Sequence, residues 1–439
     1  MKNCRCVIAQ CVLPGLLLIG FFSGCTLLPR HTAGGSRDHT FIAYWPGPKN
    51  SQQLRLAVKD NIDMKGVVTT AGSEYLAKTS PPASRDAGCL AIARERNVHI
   101  VGKANLSEFA VSPSGVNDYF GTPKSPFSKW WLRFIPGGSS SGSAAAITNG
   151  MADVAFGTDT TGSIRTPAAC SGIVGLKTTF GLVPIKGVFP ISPKHLDTVG
   201  PMAKDVSHLV QGMDLLQEGF AARYQAAVAA RPSAKDIKIG RLYLGGPGPG
   251  SVVLGGTDPR IDKAVDNALA RAGFHVVKLD EAFRAKWNKA QKDADIVAAS
   301  GAWINEHKYQ YKPGISARTK AVILLGGILH GTEYRKALQR QAAWQRTLRR
   351  VFQKVDFIAL PTLQTLPLTI SPLTDTGLLE ARVLALQNTS AVNFAGNPAL
   401  VIPIPVRHAK VPVTSLQLVG PRLSEAELLN AGRLVESKH

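Results

Sequence analysis

Residues 237–279 limit the fold more than any other stretch. Ile237 to Leu244 reads as a strand, Pro259 to Ala270 repeats its apolar residues at helical spacing behind a proline, and Phe274 to Leu279 reads as a second strand. Strand, helix and strand in succession bury their apolar faces only by stacking in layers, which implies an α/β fold. Leu54–Val58, His99–Val101, Val154–Phe156, Phe357–Leu360, Leu400–Ile404 and Leu416–Val419 read as further strands. Asp86–Glu95 and Glu425–Val435 have helical spacing, and Ala144–Ile147 opens a helix of small residues. There is no internal repeat and no coiled coil. With 44% hydrophobic and 18% charged residues the chain is not intrinsically disordered. Six cysteines in 439 residues are too few for a disulfide-stapled scaffold.

The N-terminus reads as a leader. Lys2 and Arg5 precede Val7–Phe22, an apolar run broken only by Gln10, and small residues Ser23 and Gly24 precede Cys25. The run is short for a membrane span, which takes about 20 residues, and suits a signal peptide. Phe22-Ser-Gly-Cys25 resembles a bacterial lipobox, although Phe22 departs from the usual Leu or Val. That resemblance implies residues 1–24 as signal peptide, lipidation at Cys25, a tether and entry segment over 25–53, and export. With Thr26 after the cysteine, it implies the periplasmic face of the outer membrane. Cleavage removes Cys4, Cys6 and Cys11 and leaves Cys89 and Cys170 as thiols, read as two buried small hydrophobes.

Lys plus Arg number 51 against 30 Asp plus Glu, for a net charge of +21. Such a surface favours acidic partners without identifying one. The densest basic stretch, Arg335 to Arg350, interleaves Tyr334, Leu338, Trp344, Leu348 and Phe352 at near-helical spacing. It reads as the solvated face of a packed helix. No zinc-finger, RNP or helix-turn-helix signature accompanies it, so no nucleic-acid partner is expected. Gly245–Gly250 follows a strand but reads G-G-P-G-P-G, which lacks dinucleotide-loop spacing and removes phosphate-cradling N–H groups at its prolines. It reads as a turn.

Three segments carry chemistry. Leu56–Asp63 ends an apolar strand in Lys59-Asp-Asn-Ile-Asp; the second is Pro136-Gly-Gly-Ser-Ser-Ser-Gly-Ser143; the third is Gly157-Thr-Asp-Thr-Thr-Gly-Ser-Ile-Arg165. Each glycine-serine run adjoins a predicted strand or helix, where reactive loops are built. Gly138-Ser-Ser140-Ser-Gly142 also fits the G-x-S-x-G nucleophile elbow, which would make Ser140 the nucleophile, but His195 and Asp197 do not follow it in the order that motif requires. No S-x-x-K occurs, and His99, His195 and His208 lack metal-ligand spacing.

Together, in this order, the three segments resemble the amidase signature family of serine hydrolases. Gly102–Ala110, Gly121–Lys124, Gly175–Thr178, Leu196–Ala203, Leu360–Thr362, Asn393–Ala399 and Leu416–Gly420 fit the same pattern. The likeness spans most of 54–435, with a variable middle at about 210–355. It implies a single-domain α/β/α sandwich over 54–439 on a mixed, mostly parallel central sheet. It implies Ser163 as nucleophile, Ser139 as a bridging serine after a cis peptide bond, and Lys59 as base. The backbone N–H groups of Thr160, Thr161, Gly162 and Ser163 would form the oxyanion hole. Asp159, Arg165 and Ser140 would support the site. No metal or cofactor is implied, and the partner would be a small-molecule amide, with the membrane reached through the N-terminal lipid.

The chemistry has a physical requirement. A lysine at its free pKa of about 10.4 is protonated, so it serves as a base only if burial disfavours its charged form. Thr161 stands where the family usually has glycine, and a β-branched residue does not take positive φ. That substitution motivates an alternative, a tethered binding protein on an amidase scaffold. A further alternative is the glutamine-hydrolysing subunit of a tRNA amidotransferase, a relative that the leader disfavours because charged tRNA is cytoplasmic.

Overall fold

A computed structural model describes residues 34–47, 53–245, 256–370, 376–407 and 409–438. The leader, Cys25, residues 26–33 and 48–52 of the tether and entry segment, and most of the Gly245–Gly250 turn lie outside them, whereas Phe41–Tyr44 of that segment is a strand. The strands are β1 (Phe41–Tyr44), β2 (Arg55–Lys59), β3 (His99–Ala104), β4 (Arg133–Phe134), β5 (Val154–Asp159), β6 (Val174–Lys177) and β7 (Thr198–Ala203). They continue with β8 (Lys238–Arg241), β9 (His275–Lys278), β10 (Phe357–Pro361), β11 (Thr369–Ile370), β12 (Ala399–Pro405) and β13 (Val413–Val419). Eleven of them form one sheet, ordered β1-β3-β2-β5-β7-β6-β12-β13-β10-β8-β9, and β4 pairs β11 apart from it.

The sheet is mixed. Its parallel ladders lie on two flanks, β3-β2-β5 and β10-β8-β9. The strands between β5 and β10 run antiparallel, as does β1 on β3. The second flank contains the strand-helix-strand unit of the sequence. Its helix, Pro259–Ala272, starts where Asp258 accepts from Arg260 N at 2.9 Å and stops at Gly273, whose φ is +85°. Asp and Pro at the start and a left-handed glycine at the end are the local signals for those boundaries.

Period-two alternation divides β2 between the two layers. Leu56 and Val58 enter one apolar layer with Phe156, Leu176 and the helices that cover it. Ala57 enters the other, with Ala144 and Ala146 of the helix Ser141–Thr148 and Ala168 of the helix Arg165–Ser171. Those two helices are made almost wholly of small residues, so their backbones lie close against the sheet. The turns that lead into them carry Ser139 and Ser163, each two residues before its helix starts.

Some readings change. Within 86–95 only Ala91–Glu95 is α-helical, behind a short turn at Gly88–Leu90; Ala87 is extended and Asp86 instead accepts from Lys65 N at 2.9 Å. The glycine-rich 157–175 contains the helix Arg165–Ser171, because Arg165 and Asp159 pair internally and stabilise its start. The variable middle is largely helical, including Glu281–Glu306. The basic stretch forms the helix Thr332–Val351, with Trp344 and Leu348 buried while Arg335, Lys336, Arg349 and Arg350 face solvent. Cys89 and Cys170 are free and buried. Among the described residues no helix is long and apolar enough to cross a membrane.

Candidate active site

Lys59 ends β2 with its side chain fully buried. Its Nζ lies 2.7 Å from Ser139 Oγ and 2.8 Å from Thr158 Oγ1, and it makes no ion pair among the described residues. Burial pushes the amine down to about 7, against the opposing pull of the Asp159 and Asp197 carboxylates. Thr158 also accepts from Asn61 Nδ2 at 3.1 Å, which fixes the hydroxyl that holds the amine.

Ser139 follows a cis peptide bond from Gly138. Glycine is required there by packing: a Cβ on Gly138 would lie 2.5 Å from Gly115 N and 2.6 Å from Ser112 O. Ser140 is fully buried; its N–H donates to Ser163 O at 3.2 Å and its Oγ to Thr158 O at 3.4 Å. Its hydroxyl is thereby occupied, and His195 and Asp197 do not reach it. Asp197 instead accepts from Ile191 N at 2.9 Å, Ser192 N at 3.0 Å and Thr160 Oγ1 at 2.8 Å. The nucleophile-elbow reading therefore fails.

Ser163 sits between β5 and the helix Arg165–Ser171. The turn is clamped by the fully buried Asp159–Arg165 pair. Arg165 Nε and Nη2 donate to the two Asp159 oxygens at 3.1 and 2.9 Å, and Asp159 also accepts from Ile164 N at 3.1 Å. Burial alone would raise the Asp159 pKa, but the Arg165 charge and its hydrogen bonds hold it at about 2. The remaining Arg165 donors reach Thr389 O at 2.9 Å, Gln417 Oε1 at 2.7 Å and Asn393 Oδ1. Asn393 Nδ2 returns to Asp159 at 2.8 Å. A buried guanidinium with its donors satisfied in this way is a rigid support.

Positive φ in this turn falls on Gly162, at +138°, and not on Thr161. A Cβ on Gly162 would lie 2.3 Å from Thr389 Oγ1. Thr161 keeps ordinary backbone geometry, and its carbonyl accepts from Thr389 Oγ1 and from Ser390 Oγ. The N–H groups of Thr161, Gly162 and Ser163 have no hydrogen-bond partner among the described residues. Ser163 Oγ makes none either, so the structure joins Lys59 to Ser139 directly and ties Ser163 to the same loop through the Ser140 N–H, with the two serine hydroxyls not bonded to one another.

The catalytic and supporting residues assigned from the sequence are thus gathered in one place, while Cys25 lies outside the described residues. Those not assigned are Thr158, Asn61, Asp197, Thr389, Ser390, Asn393 and Gln417. Most lie inside or beside the segments that fit the family pattern, but nothing in their spacing shows that each is a hydrogen-bond partner of the central loops. Among the described residues no cluster of His, Cys, Asp and Glu is placed to hold a metal ion.

A buried lysine set against two serine-bearing loops on an α/β/α sandwich is the arrangement that the motifs implied. The family model described as Amidase matches residues 54–429. The chain is 32% identical over 414 residues to a glutamyl-tRNA(Gln) amidotransferase subunit of Halobacterium salinarum, covering 87% of this chain and 94% of that protein. It is 31% identical to the 2-amino-5-chloromuconic acid deaminase of Comamonas testosteroni, covering 88% and 81%. Among solved structures, the corresponding amidotransferase subunit of Thermotoga maritima has a TM-score of 0.71 at 25% identity, covering 90% of this chain and 87% of that one. A peptide amidase in complex with chymostatin has a TM-score of 0.66 at 25% identity, covering 88% and 83%. This chain belongs to the amidase family, the amidase signature enzymes.

Proposed function

We propose that the protein hydrolyses a carboxylic amide through an acyl-Ser163 intermediate. The observation that carries this reading is the Lys59 amine: fully buried, near 7, and in contact with hydroxyls instead of a carboxylate. A neutral amine donates one hydrogen to Thr158 and offers its lone pair to the Ser139 proton. Ser139 then takes the proton of Ser163 as Ser163 Oγ attacks the amide carbon. The C=O π electrons move onto oxygen, and the unpartnered N–H groups of Thr161, Gly162 and Ser163 stabilise that oxyanion; one such donor is worth roughly 3–4 kcal/mol in comparable sites. The carbonyl reforms, the C–N bond breaks, and the relayed proton leaves with the amine or ammonia. Water attacks the ester by the reverse relay and releases the acid.

Ser163→Ala tests the reading. Wild type is expected to take up a fluorophosphonate label covalently and the variant to take up none, with an unchanged circular dichroism spectrum. Equal labelling of the two proteins would reject Ser163 as nucleophile, and an unlabelled wild type would favour a binding role on this scaffold.

The amidotransferase relatives support a second reading, glutamine hydrolysis, and ammonia release from glutamine in a panel of amides separates it from the first. The leader supports export and anchoring at Cys25. Metabolic palmitate labelling lost in Cys25→Ala is the expected result.

A further inference from the structure

Two pairs of tryptophans meet edge to face in opposite surroundings. Trp287 and Trp344 are 1% and 5% exposed and belong to the core. Trp130 and Trp131 are 87% and 62% exposed. They hold the two central positions of a turn that Lys129 and Leu132 close. Lys129 N donates to Leu132 O at 2.8 Å, and Leu132 N donates to Lys129 O at 3.3 Å. Such positions usually go to glycine or short polar residues. Here the two rings lie 5.1 Å apart, and Lys129 Nζ lies 5.4 Å from the Trp131 ring. Adjacent indoles left in water form an apolar surface for a partner to cover.

The chemistry around the turn selects that partner. Lys124, Lys129 and Arg133 are exposed on the same segment, and the chain has no acidic residue between Asp118 and Asp153. Indoles beside lysine and arginine suit a membrane–water interface. The rings enter the boundary of the acyl chains while the cations meet anionic headgroups. The turn has a firm base: Arg133 and Phe134 pair with Ile370 and Thr369, and Phe134 and Ile135 are buried.

The entry segment is pinned at the root of this loop. Tyr44 N donates to Gly34 O at 2.9 Å, His39 Nδ1 lies 2.9 Å from Phe120 O, and Asn105 Nδ2 joins His39 O to Gly121 O at 2.8 and 2.9 Å. Residues 26–33 separate Cys25 from Gly34, a span of about 30 Å at full extension. A lipid on Cys25 would therefore hold the root of the tryptophan loop within that distance of a bilayer.

We propose that Trp130 and Trp131, with Lys129 and Arg133 beside them, dock into the headgroup region of an anionic bilayer as a membrane contact separate from Cys25. This goes beyond the hydrolase reading and does not depend on it.

The test mixes the full chain with phosphatidylglycerol vesicles whose acyl chains carry bromine, which quenches an indole lying among them. Wild-type tryptophan emission is expected to shift to the blue and to be quenched. Trp130→Ser/Trp131→Ser is expected to lose most of that quenching and to keep the circular dichroism spectrum and Tm of wild type. The leader is common to both proteins, so its own affinity for lipid cancels. Lys129→Gln/Arg133→Gln is expected to weaken partition onto these vesicles about tenfold at low salt. Equal quenching of wild type and the tryptophan variant, or no quenching of wild type, overturns the proposal. Equal quenching of wild type by brominated phosphatidylcholine overturns the choice of an anionic surface. Sedimentation without vesicles tests the other occupant. A wild-type dimer that becomes monomeric in the tryptophan variant, with no quenching by vesicles, assigns the pair to a second copy of this chain, and the bilayer contact falls.

Discussion

Lys59 and Lys177 are both fully buried at the ends of strands in the same sheet, and burial pushes both down to about 7. Their neighbours differ. Lys59 faces the hydroxyls of Ser139 and Thr158, which both donate and accept. Lys177 donates to the carbonyls of Thr178 and Asn397, each at 2.8 Å, and carbonyls only accept. The nearby Arg165 charge adds to the burial at Lys177. A depressed pKa is therefore not enough to make a base; the amine also needs a neighbour with a proton to give. By this criterion Lys59 suits the proposed relay, and Lys177 ties β6 to the turn after Asn393.

The largest effect separates the two directly. Lys59→Met is expected to slow fluorophosphonate labelling of Ser163 by about 100- to 10,000-fold, the usual reach of a general base. Lys177→Met strands two buried carbonyls at about 1–3 kcal/mol each, so its signature is a lower Tm with labelling largely retained. If Lys177→Met slowed labelling as much as Lys59→Met, the contrast between the two amines would not hold.

Next in size is the clamp between the two lysines. Asp159→Asn leaves Arg165 without its buried carboxylate and is expected to cost about 3–5 kcal/mol, read by denaturant unfolding. In wild type the Asp159 pKa lies below its ordinary value of 3.8, at about 2. Its stabilisation is thus complete above about 4 and is lost as pH falls toward 2.

The pH profile sharpens the comparison further. Both lysines have folded values below 10.5, so the unfolded chain binds more protons between pH 7 and 10.5, and both contribute a rise of stability with pH across that window. Only Lys59 is expected to place an acid limb on activity. Labelling is expected to rise through pH 7 in wild type and in Lys177→Met alike; a limb that moved in Lys177→Met would assign it to the wrong amine.

The smallest effect concerns Thr161. Its φ is not positive and its carbonyl is held by Thr389 and Ser390. Thr161→Gly is accordingly expected to change the labelling rate by less than about tenfold and stability by about 1 kcal/mol through the looser unfolded chain. A larger gain in rate would show that the threonine obstructs the site.

Local pattern accounts for what could be read along the chain. The strand-helix-strand unit at 237–279 was readable because Asp258, Pro259 and Gly273 set their helix boundaries through contacts within a few residues. The helix Arg165–Ser171 was hidden in a glycine-rich stretch because its start depends on Asp159, Asn393 and Gln417, two of them more than 200 positions away. The long helices of the middle pack through aromatic contacts such as Trp287 with Trp344, which no local motif announces.

The sequence by itself determined the layered class and the order of the motif segments, and it singled out Lys59, Ser139 and Ser163 as candidates. Tertiary structure alone decided which buried lysine meets a hydroxyl, where positive φ falls beside Thr161, and that the Glu306 side chain is buried with no hydrogen-bond partner among the described residues. The physical reason is that a pKa and an unmet hydrogen bond belong to an environment, and the groups that make these environments come from strands and loops far apart in the chain.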